Sequence, residues 1–304
     1  IKRFFCPKAL EEKRKMTKTP PKDTDTKLTK TYVDDVWQEG SPPVLAPNSQ
    51  AMWLSTVVFD GARALQGHLP DLDLHSARVN QSAIELGMLP TKTTEEIIQI
   101  SKDGVAMFPD DAELYICPMY YAEDGFITPV PESTKFVLSI YEAPLPEPNG
   151  FRACKSSFRR PEPDQAPTNA KASCLYPNVA RGVSEAREKG FDCGVVLDPY
   201  GQVAEFSYTN LFFAKDGVVH TPVTNGTFLN GVTRQRVIQL LRDNGVEVQD
   251  RKVEYEELGE ADELFSTGNY SKLLPCIGLD DRAIQPGPLF QKARELYFEF
   301  VECS

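Results

Sequence analysis

Residues 156–178 read SSFRRPEPDQAPTNAKASCLYPN, and the interpretation of the whole chain starts from this stretch. It contains one lysine, Lys171, among small and polar residues, between a proline-rich segment and a predicted helix over 177–190. A single lysine usually lies on the surface in contact with solvent. The neighbouring segments therefore decide whether Lys171 has a chemical role.

The segments after Lys171 predict a large α/β domain. Residues 193–222 (CGVVLDPYGQVAEFSYTNLFFAKDGVVHTP) predict three strands, separated by a DPYG turn and a KDG turn. Residues 231–245 (GVTRQRVIQLLRDNG) have the apolar spacing of an amphipathic helix, and Gly245 ends it. These elements are typical of an α/β domain built on a sheet.

The segments before Lys171 predict a smaller mixed α/β unit. Its predicted elements are a strand over 56–65 that turns at Gly61, helices over 72–88 and 93–105, and strands over 113–122 and 134–145. The second helix begins with a threonine cap and early acidic residues, as helix starts prefer. A proline-rich passage, APLPEPNG (143–150), follows the unit and is typical of an interdomain linker.

The first thirty residues have a different character from the rest. They carry ten Lys/Arg against four Asp/Glu, a net charge of +6, and too few apolar residues to fold alone. A basic transit peptide is the alternative, but the four acidic residues argue against it. The predicted parts are a disordered basic extension (1–30), a small α/β domain (31–145), a linker (146–160) and a larger domain (161–304).

The composition excludes several functions. The chain has 304 residues, with 33 Lys+Arg against 44 Asp+Glu, and its formal net charge of −11 argues against nucleic-acid binding. No run approaches the roughly 18 apolar residues that a membrane span needs. Seven cysteines, an odd number without a CxxC motif, predict free thiols and a cytoplasmic location. The three histidines form no ligand-spaced group, so no metal site is predicted.

Several segments resemble, in order, the motifs of the class IV, branched-chain-type aminotransferases, which use pyridoxal 5'-phosphate (PLP). The stretch around Lys171 is similar to the segment that carries the cofactor lysine in this family. The other matching segments are VFDGARA (58–64), HSARVNQSA (75–83), LYICP (114–118), EFSYTNLFF (205–213) and LNGVTRQRVI (229–238). Each match is weak alone, but together they cover most of residues 54–276.

The resemblance implies fold type IV, with a small N-terminal and a larger C-terminal α/β domain and PLP at their interface. It also implies a homodimer in which a loop of the partner's small domain closes the site. Lys171 is expected to hold PLP as a Schiff base and to move a proton during the reaction. Glu205 is expected to keep the pyridine nitrogen protonated, and the Tyr176 hydroxyl to bond the phenolate oxygen. A solvent-facing acid and a buried core aromatic are the ordinary alternatives for these two residues.

The resemblance also implies where the phosphate of PLP binds. The helix start at 231 offers free backbone N–H groups and a threonine hydroxyl, and an arginine on the earlier helix supplies a charged partner. STGNYSKLLP (266–275) resembles a second phosphate loop, with an asparagine where many relatives have threonine. The amide of this asparagine is expected to donate to the phosphate. The predicted phosphate-binding residues are Arg78, Gly231, Val232, Thr233, Gly268 and Asn269.

The substrate side departs from the family pattern. Cys117 stands in the LYICP-like strand where the branched-chain enzymes carry arginine, and Leu54 replaces a tyrosine near the N-terminal signature. Both changes remove polar partners of the substrate carboxylate. We expect Arg63 or backbone amides to bind a carboxylate instead, or the pocket to admit amines without one, as in the related R-selective amine transaminases. Tyr115 and Phe59 are expected to form the walls of an apolar pocket.

The sequence therefore predicts a transaminase that moves an amino group from an amino acid or a primary amine to pyruvate or 2-oxoglutarate. The first expectation is a branched-chain or other hydrophobic amino acid, or an (R)-amine, as the donor. The alternatives are a D-amino acid transaminase, an enzyme similar to 4-amino-4-deoxychorismate lyase, and a catalytically silent binding protein on the same fold. The presence of both Lys171 and Glu205 argues against the last.

Overall fold

The computed structural model describes residues 28–304, which form two β-sheets with helices packed against them. Most of the predicted basic extension, residues 1–27, lies outside the described residues. The first strand begins at Thr29, two residues before the predicted domain start at 31. No helix within 28–304 is long and apolar enough to cross a membrane.

The first sheet contains six strands, and three helices belong to the same unit. The strands are β1 (Thr29–Val33), β2 (Val36–Glu39), β3 (Val57–Phe59), β4 (Ala62–Leu65), β5 (Glu113–Ala122) and β6 (Thr134–Glu142). The helices are α1 (Gln50–Leu54), α2 (Leu72–Glu85) and α3 (Thr94–Val105). All strand pairs are antiparallel, in the order β2-β1-β6-β5-β3, and β4 also pairs with β5.

Local sequence explains two features of this unit. Helix α3 begins with a capping box, in which the side chain of Thr93 accepts from the Glu96 N–H and the Glu96 carboxylate accepts from the Thr93 N–H. Strand β5 alternates, so Leu114 and Ile116 are buried against α2 and α3 while Tyr115 faces the other side of the sheet. This alternation directs Tyr115 towards the second sheet.

The second sheet contains nine strands and mixes parallel and antiparallel pairs. The strands are β7 (Phe151–Arg159), β8 (Cys193–Leu197), β9 (Val203–Phe206), β10 (Asn210–Lys215), β11 (Val218–Pro222), β12 (Val248–Arg251), β13 (Glu263–Gly268), β14 (Lys272–Leu279) and β15 (Arg282–Ala283). Their order is β12-β11-β10-β13-β14-β7-β8-β9, with β15 on β14. The helices of this unit are α4 (Tyr176–Glu188), α5 (Val232–Asp243), α6 (Tyr255–Leu258) and α7 (Pro288–Glu302).

Two sequence predictions need correction here. Residues 193–222 form four strands, not three, because a short break at 207–209 separates β9 from β10. Residues 151–159 of the predicted linker form β7, which pairs in parallel with β14 on one side and β8 on the other. Small residues of β7, Ala153 and Cys154, are buried between these neighbours, so the connection between the sheets shortens to 143–150.

The two sheets meet at the segment that carries Lys171. Val58 of β3 forms a β-bridge with Ala172, and the Phe59 N–H donates to the Lys171 carbonyl at 3.1 Å. The Lys171 N–H in turn donates to the Ser82 hydroxyl of α2 at 3.1 Å. The backbone of Lys171 is therefore held by the first unit, and its neighbours Ala170 and Ala172 are buried in the hydrophobic cluster of that unit.

Candidate active site

A cavity of about 1130 Å3 lies where the two sheets meet. All nine residues that the sequence predicted as PLP-binding line it, from both units of the chain. Of the five predicted substrate residues, Phe59 and Tyr115 also line it. Leu54, Arg63 and Cys117 do not.

The Lys171 amine lies between two aromatic rings on the cavity wall. Nζ is 2.7 Å from the Tyr176 hydroxyl and 4.6 Å from the centroid of the Phe59 ring. The two rings are themselves in contact, with centroids 5.1 Å apart. Because Tyr176 is the first residue of α4, the start of this helix sets the distance between hydroxyl and amine.

Glu205 is a buried carboxylate on β9 that also faces the cavity. Arg160 Nη2 lies 2.7 Å from one carboxylate oxygen, and Asn210 donates to the other at 3.2 Å. Burial raises the pKa of Glu205 above its ordinary value, while the Arg160 charge opposes this shift. Sequence reasoning missed Arg160, although it stands in the same 156–178 stretch as Lys171.

The start of α5 presents unused backbone donors to the cavity. The helix begins at Val232 after Gly231, and no side chain caps its first turn. Thr233 is buried here and also lines the cavity. A Cβ at Gly231 would lie 2.1 Å from the Asn210 side-chain oxygen, so glycine is needed for this close approach. Free N–H groups at a helix start favour an anion.

A buried cluster on α2 lies on the cavity wall as well. Arg78 donates to both oxygens of Asp60, at 2.6 and 2.8 Å, and His75 Nδ1 lies 2.7 Å from the same carboxylate. Burial raises the pKa of Asp60, but the Arg78 charge and the hydrogen bonds from Arg78 and His75 outweigh it and hold this pKa well below its usual range. Arg78 Nη1 and His75 Nε2 are buried without a hydrogen-bond partner within the described residues. The HSARVNQSA segment predicted Arg78, but Asp60 was missed.

Comparison with known proteins gives the family. Residues 57–278 match the family described as amino-transferase class IV. The chain belongs to the class IV aminotransferases. A probable branched-chain-amino-acid aminotransferase of Aquifex aeolicus (strain VF5) is 32% identical over 260 residues, which cover 81% of this chain and 84% of the relative.

Solved structures of other aminotransferases are similar in fold to this class IV aminotransferase over most of its length. An aminotransferase from Brucella abortus bound to the cofactor PLP is 47% identical, with a TM-score of 0.89, covering 90% of this chain and 99% of that one. A branched-chain aminotransferase from Thermoproteus uzoniensis, with norvaline, is 29% identical with a TM-score of 0.83, covering 90% and 95%. The predicted fold class, fold type IV, is therefore confirmed.

Arg63, which was expected to bind a substrate carboxylate, does not line the cavity of this aminotransferase. Its side chain is fully buried and donates to three backbone carbonyls, those of Ala143, Asn269 and Tyr270. These bonds use three of the five N–H groups of the guanidinium, and the binding of a substrate carboxylate by Arg63 remains a prediction. Through the carbonyls of Asn269 and Tyr270, Arg63 connects the first sheet to the loop between β13 and β14.

Two other predicted substrate residues lie outside the cavity lining. Leu54 is at the end of α1, where it is exposed. Cys117 lies on the Tyr115 face of β5, and burial raises the pKa of its thiol to about 12, so the thiol stays protonated. Neither residue contributes a polar group to the cavity.

Asn269 lines the cavity, but its side-chain amide already has protein partners. Nδ2 donates to the Ala62 carbonyl at 3.2 Å, and Oδ1 accepts from the Lys272 amine at 2.7 Å. One of the two N–H groups of the amide is therefore used within the protein, and the contact of Asn269 with the phosphate remains a prediction.

Proposed function

We propose that this class IV aminotransferase binds PLP and transfers the amino group of a branched-chain or similarly hydrophobic amino acid to a 2-oxo acid such as pyruvate or 2-oxoglutarate. One observation carries the proposal: Lys171 and Glu205 line the same cavity as the uncapped start of α5. The names of the relatives support the donor, since several are branched-chain aminotransferases.

The residues on the cavity wall fit PLP. Arg78 keeps a buried N–H without a partner, and the start of α5 has free N–H groups, which together are the donors that a phosphate needs. Lys171 would hold the aldehyde carbon, Tyr176 the neighbouring ring oxygen and Glu205 the ring nitrogen. PLP, when bound, supplies a ring that takes up the electrons of the substrate Cα–H bond.

Glu205 would keep a proton on the ring nitrogen. A carboxylate does this only while it is ionised, and burial alone favours its neutral form. Arg160 at 2.7 Å and Asn210 at 3.2 Å occupy one oxygen each and stabilise the ionised form. Arg160 is therefore part of the proposed machinery, as the residue that sets the charge of Glu205.

Lys171 would move the substrate proton. Its Nζ is the only lysine amine on the cavity wall among residues 28–304, and its hydrogen-bond partner is the Tyr176 hydroxyl. An amine positioned here takes the proton from the substrate Cα at Nζ and later returns a proton to the substrate carbon. The rings of Phe59 and Tyr176 lie against Nζ and limit the access of water.

A second donor class is favoured by one observation on the substrate side. Two of the four arginines on the cavity wall, Arg78 and Arg160, are already paired with Asp60 and Glu205. A primary amine without a carboxylate needs no free arginine, so an (R)-amine is the second candidate donor. Phe59 and Tyr115 offer such a donor an apolar wall.

The test is a donor panel with the purified protein loaded with PLP. Pyruvate and 2-oxoglutarate serve as acceptors for L-leucine, L-valine, D-alanine and both enantiomers of 1-phenylethylamine. We expect the highest kcat/KM with a branched-chain L-amino acid, and borohydride reduction should attach the cofactor to Lys171. Failure of every donor to transfer its amino group, in protein whose Lys171 carries the cofactor, would refute the proposed function.

We also propose a homodimer in a reducing cytoplasm. Large apolar side chains are exposed at two places, with Trp53 72%, Phe126 80% and Ile127 73% accessible. Side chains of this size are rarely left in water together, and a second copy of the chain would cover them. The six cysteines within residues 28–304 are free thiols, which suits a reducing compartment.

A further inference from the structure

Asp60 is a fully buried carboxylate that the proposed reaction does not use. It lies in the two-residue connection between β3 and β4, and its N–H donates to the Pro118 carbonyl of β5 at 2.9 Å. Its side chain does not line the cavity. A buried charge costs stability unless it is paired, so the partners of Asp60 indicate its role.

Four nitrogen atoms surround the Asp60 carboxylate. Oδ1 accepts from the Gly61 N–H at 2.7 Å and from Arg78 Nη2 at 2.8 Å, and His75 Nδ1 lies 2.7 Å from the same oxygen. Oδ2 accepts from Arg78 Nε at 2.6 Å. An ionised carboxylate only accepts, so Nδ1 of His75 carries a proton and donates it. His75 and Arg78 stand one turn apart on α2, which brings both side chains to the same oxygen.

The two bonds to Asp60 fix the plane of the Arg78 guanidinium, because a pair of parallel hydrogen bonds resists rotation. They use two of its five N–H groups, and Nη1 has no hydrogen-bond partner within residues 28–304. Arg78 lines the cavity, and its side chain is 17% exposed. Without Asp60 this long side chain could adopt other rotamers, and any ligand that it binds would have to order it.

We propose that Asp60 and His75 are positioning residues for the phosphate of PLP: Asp60 fixes the Arg78 guanidinium on the cavity wall, and His75 fixes the Asp60 carboxylate. The N–H groups of Arg78 that Asp60 leaves unused are then in place before the anion binds, which lowers the entropic cost of binding. The proposal rests on the proposed function, which makes this cavity the PLP site.

The test compares PLP with pyridoxal, which has the same aldehyde but lacks the phosphate. The Kd of each is measured by absorbance titration of the full chain freed of PLP, in the wild type, Asp60→Asn, Arg78→Met and the double variant. A general loss of structure around the cavity would weaken both aldehydes alike. A displaced Arg78 guanidinium would weaken PLP alone, so the ratio of the two Kd values isolates the phosphate.

Asparagine at this position keeps one accepting oxygen but sets an N–H group against one of the donors, so Asp60→Asn breaks the pair of bonds. We expect this variant to raise the Kd of PLP about tenfold, the effect of one charge-assisted hydrogen bond, and to change the Kd of pyridoxal less than about twofold. Arg78→Met should lose at least as much, and the double variant should be no worse than Arg78→Met. An unchanged Kd of PLP in Asp60→Asn, equal losses for both aldehydes, or additive losses in the double variant would overturn the proposal.

Asp71→Asn is the matched control. Asp71 is another buried carboxylate paired with an arginine, Arg236 of α5, and neither residue lines the cavity. Residue 71 has a φ of 56°, a left-handed conformation that asparagine also adopts. The control loses a buried ion pair without changing the partners of Arg78, so its Kd ratio should equal that of the wild type. A change in this ratio as large as in Asp60→Asn would count against the proposal.

Two variants of His75 give a second route if Asp60→Asn does not fold. His75→Asn keeps an N–H donor close to the place of Nδ1, whereas His75→Phe keeps a ring without a donor. The first should retain the wild-type Kd ratio, and the second should lose about threefold of the preference for PLP; equal ratios in the two variants would contradict the proposal. Wild-type protein that binds pyridoxal as tightly as PLP would overturn the proposed cofactor site and this inference with it. A wild type that prefers PLP, beside an unaffected Asp60→Asn, overturns this inference alone.

Discussion

Replacement of Arg160 by methionine should lower the free energy of unfolding, because the buried Glu205 carboxylate loses its counter-ion. Arg160 Nη2 and a Glu205 oxygen are 2.7 Å apart, and the two side chains are only 14% and 7% exposed. Methionine keeps much of the apolar stem of arginine but removes the charge. The variant therefore leaves a buried carboxylate with Asn210 as its nearest donor.

The expected loss of unfolding free energy is about 3 kcal/mol at pH 8. With roughly 4 Å between the charge centres and an effective dielectric constant of about 20, the lost attraction is about 4 kcal/mol. Removal of one partner of a buried ion pair typically costs about 3–5 kcal/mol, because the other charge stays buried. Asn210 and the more distant Lys171 charge still stabilise the carboxylate, so the lower end applies.

The loss should depend on pH. Burial already raises the pKa of Glu205 in the folded state above its ordinary value of 4.5. Without the Arg160 charge, which opposes this shift, the pKa rises further. Between the unfolded and folded pKa values the folded state binds more protons, so stability falls as pH rises through this range. A protonated carboxyl needs no counter-ion, so the loss should be smaller at pH 5 than at pH 8.

The assay is urea unfolding of the PLP-free protein at pH 5 and pH 8, at one fixed protein concentration. Glu205→Gln and the double variant complete the cycle, and the double variant should recover most of the stability lost in Arg160→Met. Arg159→Met is the control, because Arg159 is the exposed neighbour that donates to the Pro199 carbonyl instead. An equal loss at both pH values, or a loss below about 1 kcal/mol at pH 8, would refute the reasoning.

Three further predictions concern the cofactor lysine, the anion site and the exposed apolar surface. Lys171→Ala should lower transamination by at least about 10³-fold while the far-ultraviolet circular dichroism stays unchanged, because both covalent attachment and proton transfer are lost; retained activity would contradict its role. Gly231→Ala should weaken PLP binding about tenfold in an absorbance titration, because the alanine Cβ would lie 2.1 Å from the Asn210 side-chain oxygen. Unchanged affinity would exclude the start of α5 as the phosphate site. Phe126→Asp should convert a dimer to a monomer in light scattering at micromolar concentration, and an unaltered mass would remove Phe126 from the interface.

The sequence predicted the fold class and the segments that form the cavity. Strand alternation in β5, the cap of α3 and the glycine before α5 are local features, and each is visible in a few consecutive letters. The resemblance then brought Lys171 and Glu205 to one site, and both do line one cavity. Their chemical roles remain predictions that the variants above test.

Side-chain pairing between distant segments was beyond the sequence. Arg63 had the right charge to bind a carboxylate, yet three of its N–H groups donate to the carbonyls of residues 143, 269 and 270. Asn269 had the right amide to bind phosphate, yet its amide also donates to the Ala62 carbonyl and accepts from the Lys272 amine. A hydrogen-bond donor binds the acceptor that tertiary packing places nearest to it. One sequence does not show which acceptor that is.

The amino-acid sequence by itself determined much of the secondary structure, the order of the motifs and the type of reactive groups, because periodicity, caps and side-chain chemistry are local properties. Only the tertiary structure decided which charges are neutralised and which donors stay free. Arg160 lies beside Glu205, and Arg78 beside Asp60, because β-sheet pairing and helix packing join segments that are far apart in the chain. Burial then turned these contacts into strong interactions, since in a low dielectric each charge depends on its nearest neighbour.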